Sequence, residues 1–162
     1  MQSMTVQDVQ QALDAFQLGI VITIYEQSTA TSQLAAEAIG CELGQIAKSI
    51  CFVVDALPVL VVTSGEQRVD DRKVAALLGV SRKAVKLARA EECVALFGYA
   101  PGGVPPLGHR TRPAHIFLDA HLQRYHTIYA AGGAANAIFP LTLDQLKAVT
   151  GGTFADVTRD SA

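Results

Sequence analysis

The sequence predicts an α+β fold in which a mixed β-sheet core is surrounded by helices, and three observations carry that expectation. Half of the 162 residues are apolar, enough to bury a sizeable core in a chain near the usual size of one domain. Extended β-branched runs and helical apolar patterns intermix without the strict alternation of a parallel doubly wound sheet. The longest apolar runs, Ile50 to Val54 and Leu57 to Val62, are strand-sized and well short of the ~20 residues a membrane-spanning helix needs. The start, Met1 to Gln11, is polar and amphipathic where a secreted chain would show an apolar run. A single soluble, cytoplasmic domain over 1–162, with its core at about 20–157, is expected.

Val6, Val9, Leu13 and Phe16 repeat at helical spacing, which predicts a helix over about 5–17 that Gly19 ends. Ile20 to Tyr25 reads as a β-branched strand. Ser28 to Ser32 supplies capping hydroxyls for a helix carrying Leu34, Ala35, Ala38 and Ile39, stopped by Gly40. Lys48 to Val54 and Val59 to Thr63 read as central strands joined by a turn containing Pro58. Asp70 or Asp71 caps a helix that ends at Gly79, Ser81 caps a second short one, and Glu91 to Phe97 forms a third. Four glycines and four prolines between 98 and 113 deny regular hydrogen bonding there. Strands follow at Ala114 to Leu118, Thr127 to Ala131 and around Ala137 to Phe139. Thr142 and Gln145 have the spacing of a capping box opening a last helix. The polar tail after Thr158 is expected to fray.

Charge is unevenly spread. Seven of the thirteen basic residues lie between 68 and 89 against Asp70 and Asp71, so that window carries +5 in a chain of net charge −2. On a helix starting at Ser81, Arg82, Lys86 and Arg89 would share one side, with Lys83 beside them, where they could meet phosphates or simply face solvent. Cys41, Cys51 and Cys93 are odd in number, widely spaced and apolar in setting, the pattern of buried reduced thiols rather than disulfides. Nothing near Cys51 or Cys93 in sequence lowers a thiol pKa. His115, His121 and His126 match no zinc spacing, and no metal or other cofactor is expected.

Two features carry candidate chemistry. Lys48 is the only charge between Glu42 and Asp55, and strand parity sets it beside Ile50, Phe52 and Val54. It reads either as a lysine snorkelling at a strand end or as a positioned cation that binds phosphate or stabilises an oxyanion. Prolines stiffen the segment Gly98-Tyr-Ala-Pro-Gly-Gly-Val-Pro-Pro-Leu-Gly108 while Gly102 and Gly103 leave backbone bare, so it reads as a surface crossover or as a loop that holds a small polar group. It lacks the Lys-Ser/Thr of a nucleotide phosphate loop. His109 closes it and could enter a pocket.

Five segments together resemble the YbaK and prolyl-tRNA-synthetase-associated editing domains. These are Ala35-Ala-Glu-Ala-Ile-Gly40, Gly44-Gln-Ile-Ala-Lys-Ser-Ile50, Gly98 to Gly108, Ile116-Phe-Leu-Asp119 and Ala130-Ala-Gly-Gly133, and the similarity spans roughly 20–157. The resemblance implies a free-standing deacylase that hydrolyses the ester of a mischarged tRNA, with Lys48 tied to activity. It implies that Gly102, Gly103, Val104, Pro105 and Pro106 line the aminoacyl pocket. Thr31, Ser32, Gly132 and Gly133 are expected to shape its side-chain end, and His109 to assist. Arg82, Lys83, Lys86 and Arg89 become candidates for the acceptor end of tRNA, with a synthetase as a further candidate partner and neither membrane nor DNA expected. Alanine-specific members carry a histidine where this chain reads Gly132-Gly133, which weakens an alanine assignment. The other functional readings are a non-catalytic module that binds tRNA or a synthetase, and a hydrolase of small free esters.

Overall fold

The computed structural model describes residues 1–161. Its centre is an eight-stranded mixed sheet with helices packed around it, the architecture the sequence predicts. In chain order the elements are α1 (Val6–Asp14), β1 (Thr23–Ile24), α2 (Ser32–Ile39), β2 (Ile46–Val54), β3 (Leu57–Ser64), α3 (Asp71–Leu78), β4 (Lys86–Leu87) and α4 (Ala90–Glu92). They continue with β5 (His115–Asp119), β6 (Thr127–Ala131), β7 (Ala137–Thr142), α5 (Leu143–Thr150) and β8 (Thr153–Ala155). The strand order is β1-β7-β6-β2-β3-β5-β8, with β4 pairing β2 off that path.

Capping logic sets most helix ends. Thr31 accepts from Leu34 N–H at the start of α2, Asp70 from Arg72 N–H at α3, and Thr142 from Gln145 N–H at α5. Gly40, Gly79 and Gly151 close the same helices in the left-handed conformation. The strands β2 and β3, apolar on both faces, lie in the middle of the sheet.

Several local expectations are corrected. α1 stops at Asp14, short of Gly19, because the chain turns through Gln17 at φ 56°. The predicted strand over 20–25 shrinks to Thr23–Ile24: Gln10 of α1 accepts from Ile22 N–H and donates to Ile20 C=O, at 3.0 and 2.8 Å, binding that backbone before a sheet can. The hairpin turn is Asp55–Ala56, both left-handed at φ 51° and 64°, and Pro58 lies inside β3 opposite Val53. Ser81 opens only one 3₁₀ turn, Arg82–Ala84, without a side-chain cap bond, and the chain then extends as β4 to pair β2. The helix at 91–97 divides into α4 and a π-helical turn over Cys93–Phe97. The tail after Thr158 is held through Asp160 rather than frayed: Arg159 N–H donates to Arg68 C=O at 2.9 Å and Asp160 pairs with Lys73 at 2.7 Å, while Ala162 lies outside the described residues.

Candidate active site

The geometry of β2 generates a cleft. On one edge β2 pairs with β3 at every residue from Ala47 to Val54. On the other edge β6 pairs only with Ile46 and Ala47, and β4 only with Phe52 and Val53. The sheet therefore splits around the middle of β2, and a cavity of about 230 Å³ opens there. Its wall includes Lys48, Ser49, Thr31, Ser32, Gly102 and Val104.

Lys48 stands opposite Thr63 of β3 and on the face of Ile50, Phe52 and Val54, as strand parity requires. Those three side chains join Val59, Val61 and Val74 in a packed apolar cluster. Burial, and secondarily the nearby positive charge of Arg68, holds the Lys48 ammonium below its ordinary pKa of 10.5. Two hydroxyls in the same wall, Ser32 Oγ and Ser49 Oγ, are buried without a hydrogen-bond partner. Thr31 also reaches the cavity, but its oxygen caps α2.

The proline-rich loop contributes only its first half. Gly102 and Val104 line the cavity together with Pro101. Gly103 turns away: its C=O accepts from Gly133 N–H at 2.9 Å, and a Cβ there would lie 2.9 Å from the Ala134 backbone. Pro105, Pro106 and His109 do not reach the cavity. A ring nitrogen of His109, Nε2, lies 2.7 Å from Pro105 C=O, and the ring meets Phe97 edge-on at 5.6 Å. Burial pushes the His109 pKa down to about 4. Tyr99, fully buried, donates to Gly108 C=O at 2.8 Å and fastens the same half of the loop. Gly132 and Gly133 lie just past the cavity wall, which Ala131 and Ile138 form on that side.

Sequence reasoning did not anticipate Ser49, Cys51, Cys93, Leu87 or Ala88 in the wall. Parity sets Ser49 and Cys51 on the face of β2 opposite Lys48, so they reach the cavity only because the sheet opens at that edge. The two cysteines touch one another, and the hydrogen bond from Cys51 holds the Cys93 thiol below its ordinary value while raising that of Cys51. Cys51 is remote from Cys93 in sequence, whereas the sequence neighbours Glu91 and Glu92 act in the opposite direction, as expected. The third thiol, Cys41, is only partly buried.

The basic residues are not on one helical face. Arg82 lies in the 3₁₀ turn and pairs with Asp71 at 3.1 Å, while Arg89 caps α4 and pairs with Glu92 at 3.1 Å. Lys83, Lys86 and Arg89 instead line a groove together with Asp55 and Glu92, and exposed Leu87 belongs to both that groove and the cavity. Among the described residues no group of three His, Cys, Asp or Glu is placed to hold a metal ion, and no helix is long and apolar enough to cross a membrane.

The family model of the aminoacyl-tRNA editing domain matches residues 26–149, and the chain belongs to that family. YwhH of Bacillus subtilis is 33% identical over 127 residues, 78% of each chain. EbsC of Enterococcus faecalis, described as a proposed Cys-tRNA(Pro)/Cys-tRNA(Cys) deacylase, is 29% identical over 79% of this chain and 77% of its own. A crystal structure described as a proposed trans-editing enzyme for prolyl tRNA synthetase superposes with a TM-score of 0.89 at 37% identity, covering 99% of this chain and all of that one. These likenesses support deacylase chemistry in general and leave the substrate open.

Proposed function

We propose that this chain is a free-standing trans-editing hydrolase that deacylates mischarged aminoacyl-tRNA, with water as nucleophile. The observation that carries the reading is the half-buried Lys48 ammonium in the wall of a cavity large enough for a small aminoacyl group. Ester hydrolysis passes through a tetrahedral oxyanion, and a fixed cation in poorly solvated surroundings stabilises that charge more than it stabilises the neutral ester. Gly102 and Val104 supply the loop's contact with the aminoacyl group, and Thr31 and Ser32 border it from the start of α2. The groove of Lys83, Lys86 and Arg89 meets the cavity at Leu87, which suits a tRNA end whose phosphates lie outside while its ester reaches in. EbsC and the solved relative, by what they are described to do, support tRNA and a prolyl-tRNA synthetase as the partners to test first.

A panel of mischarged tRNAs tests the proposal. At least one ester should be cleared faster than its spontaneous hydrolysis, and Lys48→Ala should abolish the difference. A non-catalytic tRNA-binding module would instead show salt-dependent association without turnover.

A further inference from the structure

The break in the β2 edge determines which main-chain groups face the cleft. In a hairpin closed by a two-residue turn, the flanking residues, here Val54 and Leu57, exchange both of their backbone hydrogen bonds, and bonded and non-bonded pairs then alternate. The even-numbered residues of β2 therefore direct N–H and C=O at β3, and the odd-numbered ones at the opposite edge. Two independent features agree: Cys51 C=O accepts from Ala88 N–H at 2.9 Å across that opposite edge, and Pro58, which has no N–H, stands opposite Val53 in a non-bonded pair. The β6 ladder stops at Ala47 and the β4 ladder begins at Phe52. Between them Ser49 presents both its N–H and its C=O to the cavity, with no strand to receive them. Unpaired backbone in a poorly solvated wall is costly unless a ligand completes it. The orphaned Ser49 Oγ in the same wall is a second sign of a missing partner.

An antiparallel strand would answer Ser49 with the C=O and N–H of one residue. An α-aminoacyl ester carries one residue's worth of main chain: a carbonyl that accepts and an α-ammonium that donates. Resting on the proposed deacylase reading, we infer that Ser49 binds the aminoacyl group main chain to main chain, as a one-residue extension of the sheet. Its N–H donates to the ester carbonyl and its C=O accepts from the α-ammonium. The carbonyl donor is then in place for the oxyanion that water attack creates, beside the charge of Lys48. Directly paired residues share a face, so an L-aminoacyl side chain falls on the Ser49 side of the strand, toward Cys51, Cys93 and Val104. A D-aminoacyl ester holding the same two bonds would direct its side chain to the Lys48 side. The site thus reads the α-amino group and its configuration through backbone, and leaves side-chain choice to the apolar floor.

Amide NMR on the wild-type protein tests this independently of turnover. The probes are 3′-amino-3′-deoxyadenosine acylated through the amide with L-alanine, L-cysteine or L-proline, and the propionyl analogue that lacks the α-amino group. At least one aminoacyl probe should shift the Ser49 amide resonance and slow its hydrogen exchange, and the propionyl probe should bind at least tenfold more weakly. If no aminoacyl probe moves the Ser49 amide, the inference fails even where deacylation is observed. If the amide responds but no mischarged tRNA is cleared, the binding site stands and the deacylase reading fails. Ser49→Pro removes the donor without breaking a bond to β3 and should lower kcat/KM on the order of 100-fold with the circular dichroism spectrum retained. Ser49→Ala, which keeps the backbone groups, should retain the amide response. Loss of that response in Ser49→Ala would assign recognition to the hydroxyl and overturn the main-chain reading.

Discussion

Two buried polar regions meet across the β2–β3 pair, where Lys48 stands opposite Thr63, and they differ in whether their hydrogen bonds are complete. Around Asp119 they are. Its carboxylate, fully buried, accepts from Ser64 N–H at 2.9 Å and Thr63 Oγ at 3.2 Å, and from His121 N–H at 2.9 Å, with His121 Nδ1 at 2.8 Å. Ser64 Oγ donates in turn to Gly44 C=O at 2.6 Å, and Arg124 donates to Ser64 Oγ at 2.8 Å. Around Lys48 they are not, since Ser32 Oγ and Ser49 Oγ have no partner and the strand edge is open. A closed network ties β3, β5 and the turn after β5 together, whereas an open one sits where a ligand would complete it.

The largest expected effect separates the two regions by readout. Lys48→Ala should cut the deacylation rate by about 10²–10³ while leaving thermal stability unchanged or slightly higher, because it removes a half-desolvated charge. Single-turnover kinetics and a melting curve on the same sample check both halves. The lowered pKa of Lys48 adds a pH signature: its cationic fraction, and with it the rate enhancement over spontaneous hydrolysis, should fall at a pH below that of an ordinary lysine. An enhancement that stays flat through the ordinary lysine pKa of 10.5 would remove the ammonium from the mechanism.

Asp119→Ala should do the reverse. It strands several buried donors and should destabilise the fold by about 3 kcal/mol, measured by urea unfolding, with the residual folded protein still able to bind a substrate analogue. A change in activity without a change in stability would place Asp119 with the cavity instead.

His109 extends the comparison to the proline-rich loop, whose second half behaves like the closed region. Its folded pKa of about 4 lies below the ordinary 6.5, so the unfolded chain takes up the proton first as pH falls. The stability gained from a neutral buried ring is complete above about pH 6.5 and is lost progressively down to about pH 4, a change of about 3 kcal/mol. His109→Phe should flatten that part of the melting-temperature profile. A catalytic proton carrier would instead imprint its pKa on the rate.

The parts legible in the sequence were those governed by local rules. Thr31 and Gly40 bracket α2, and Thr142 with Gln145 opens α5, because caps need only a few neighbouring residues. Strand parity gave Lys48 its face. The cavity itself was less legible, because it exists where β6 and β4 part, and both reach β2 from distant sequence. The expected helix from Ser81 gave way to β4 for the same reason: a two-residue pairing with Phe52 and Val53 outweighed a weak local preference. His109 was placed by adjacency to the loop, yet the Pro105 carbonyl turns its ring away from the cavity.

The smallest predicted effect probes the open region most directly. Ser32 Oγ is desolvated by the fold but bonds nothing, so Ser32→Ala should raise stability by about 1 kcal/mol, whereas trimming a hydroxyl of the Asp119 network, as in Thr63→Val, should lower it by a similar amount. The sign contrast matters more than either magnitude, since a wall selected only for stability would not keep an unpaired hydroxyl. If Ser32→Ala also weakens binding of an aminoacyl analogue, the hydroxyl's missing partner is the substrate. If Ser32→Ala destabilises the free protein, Ser32 has a partner within the fold and the open region is smaller by one group.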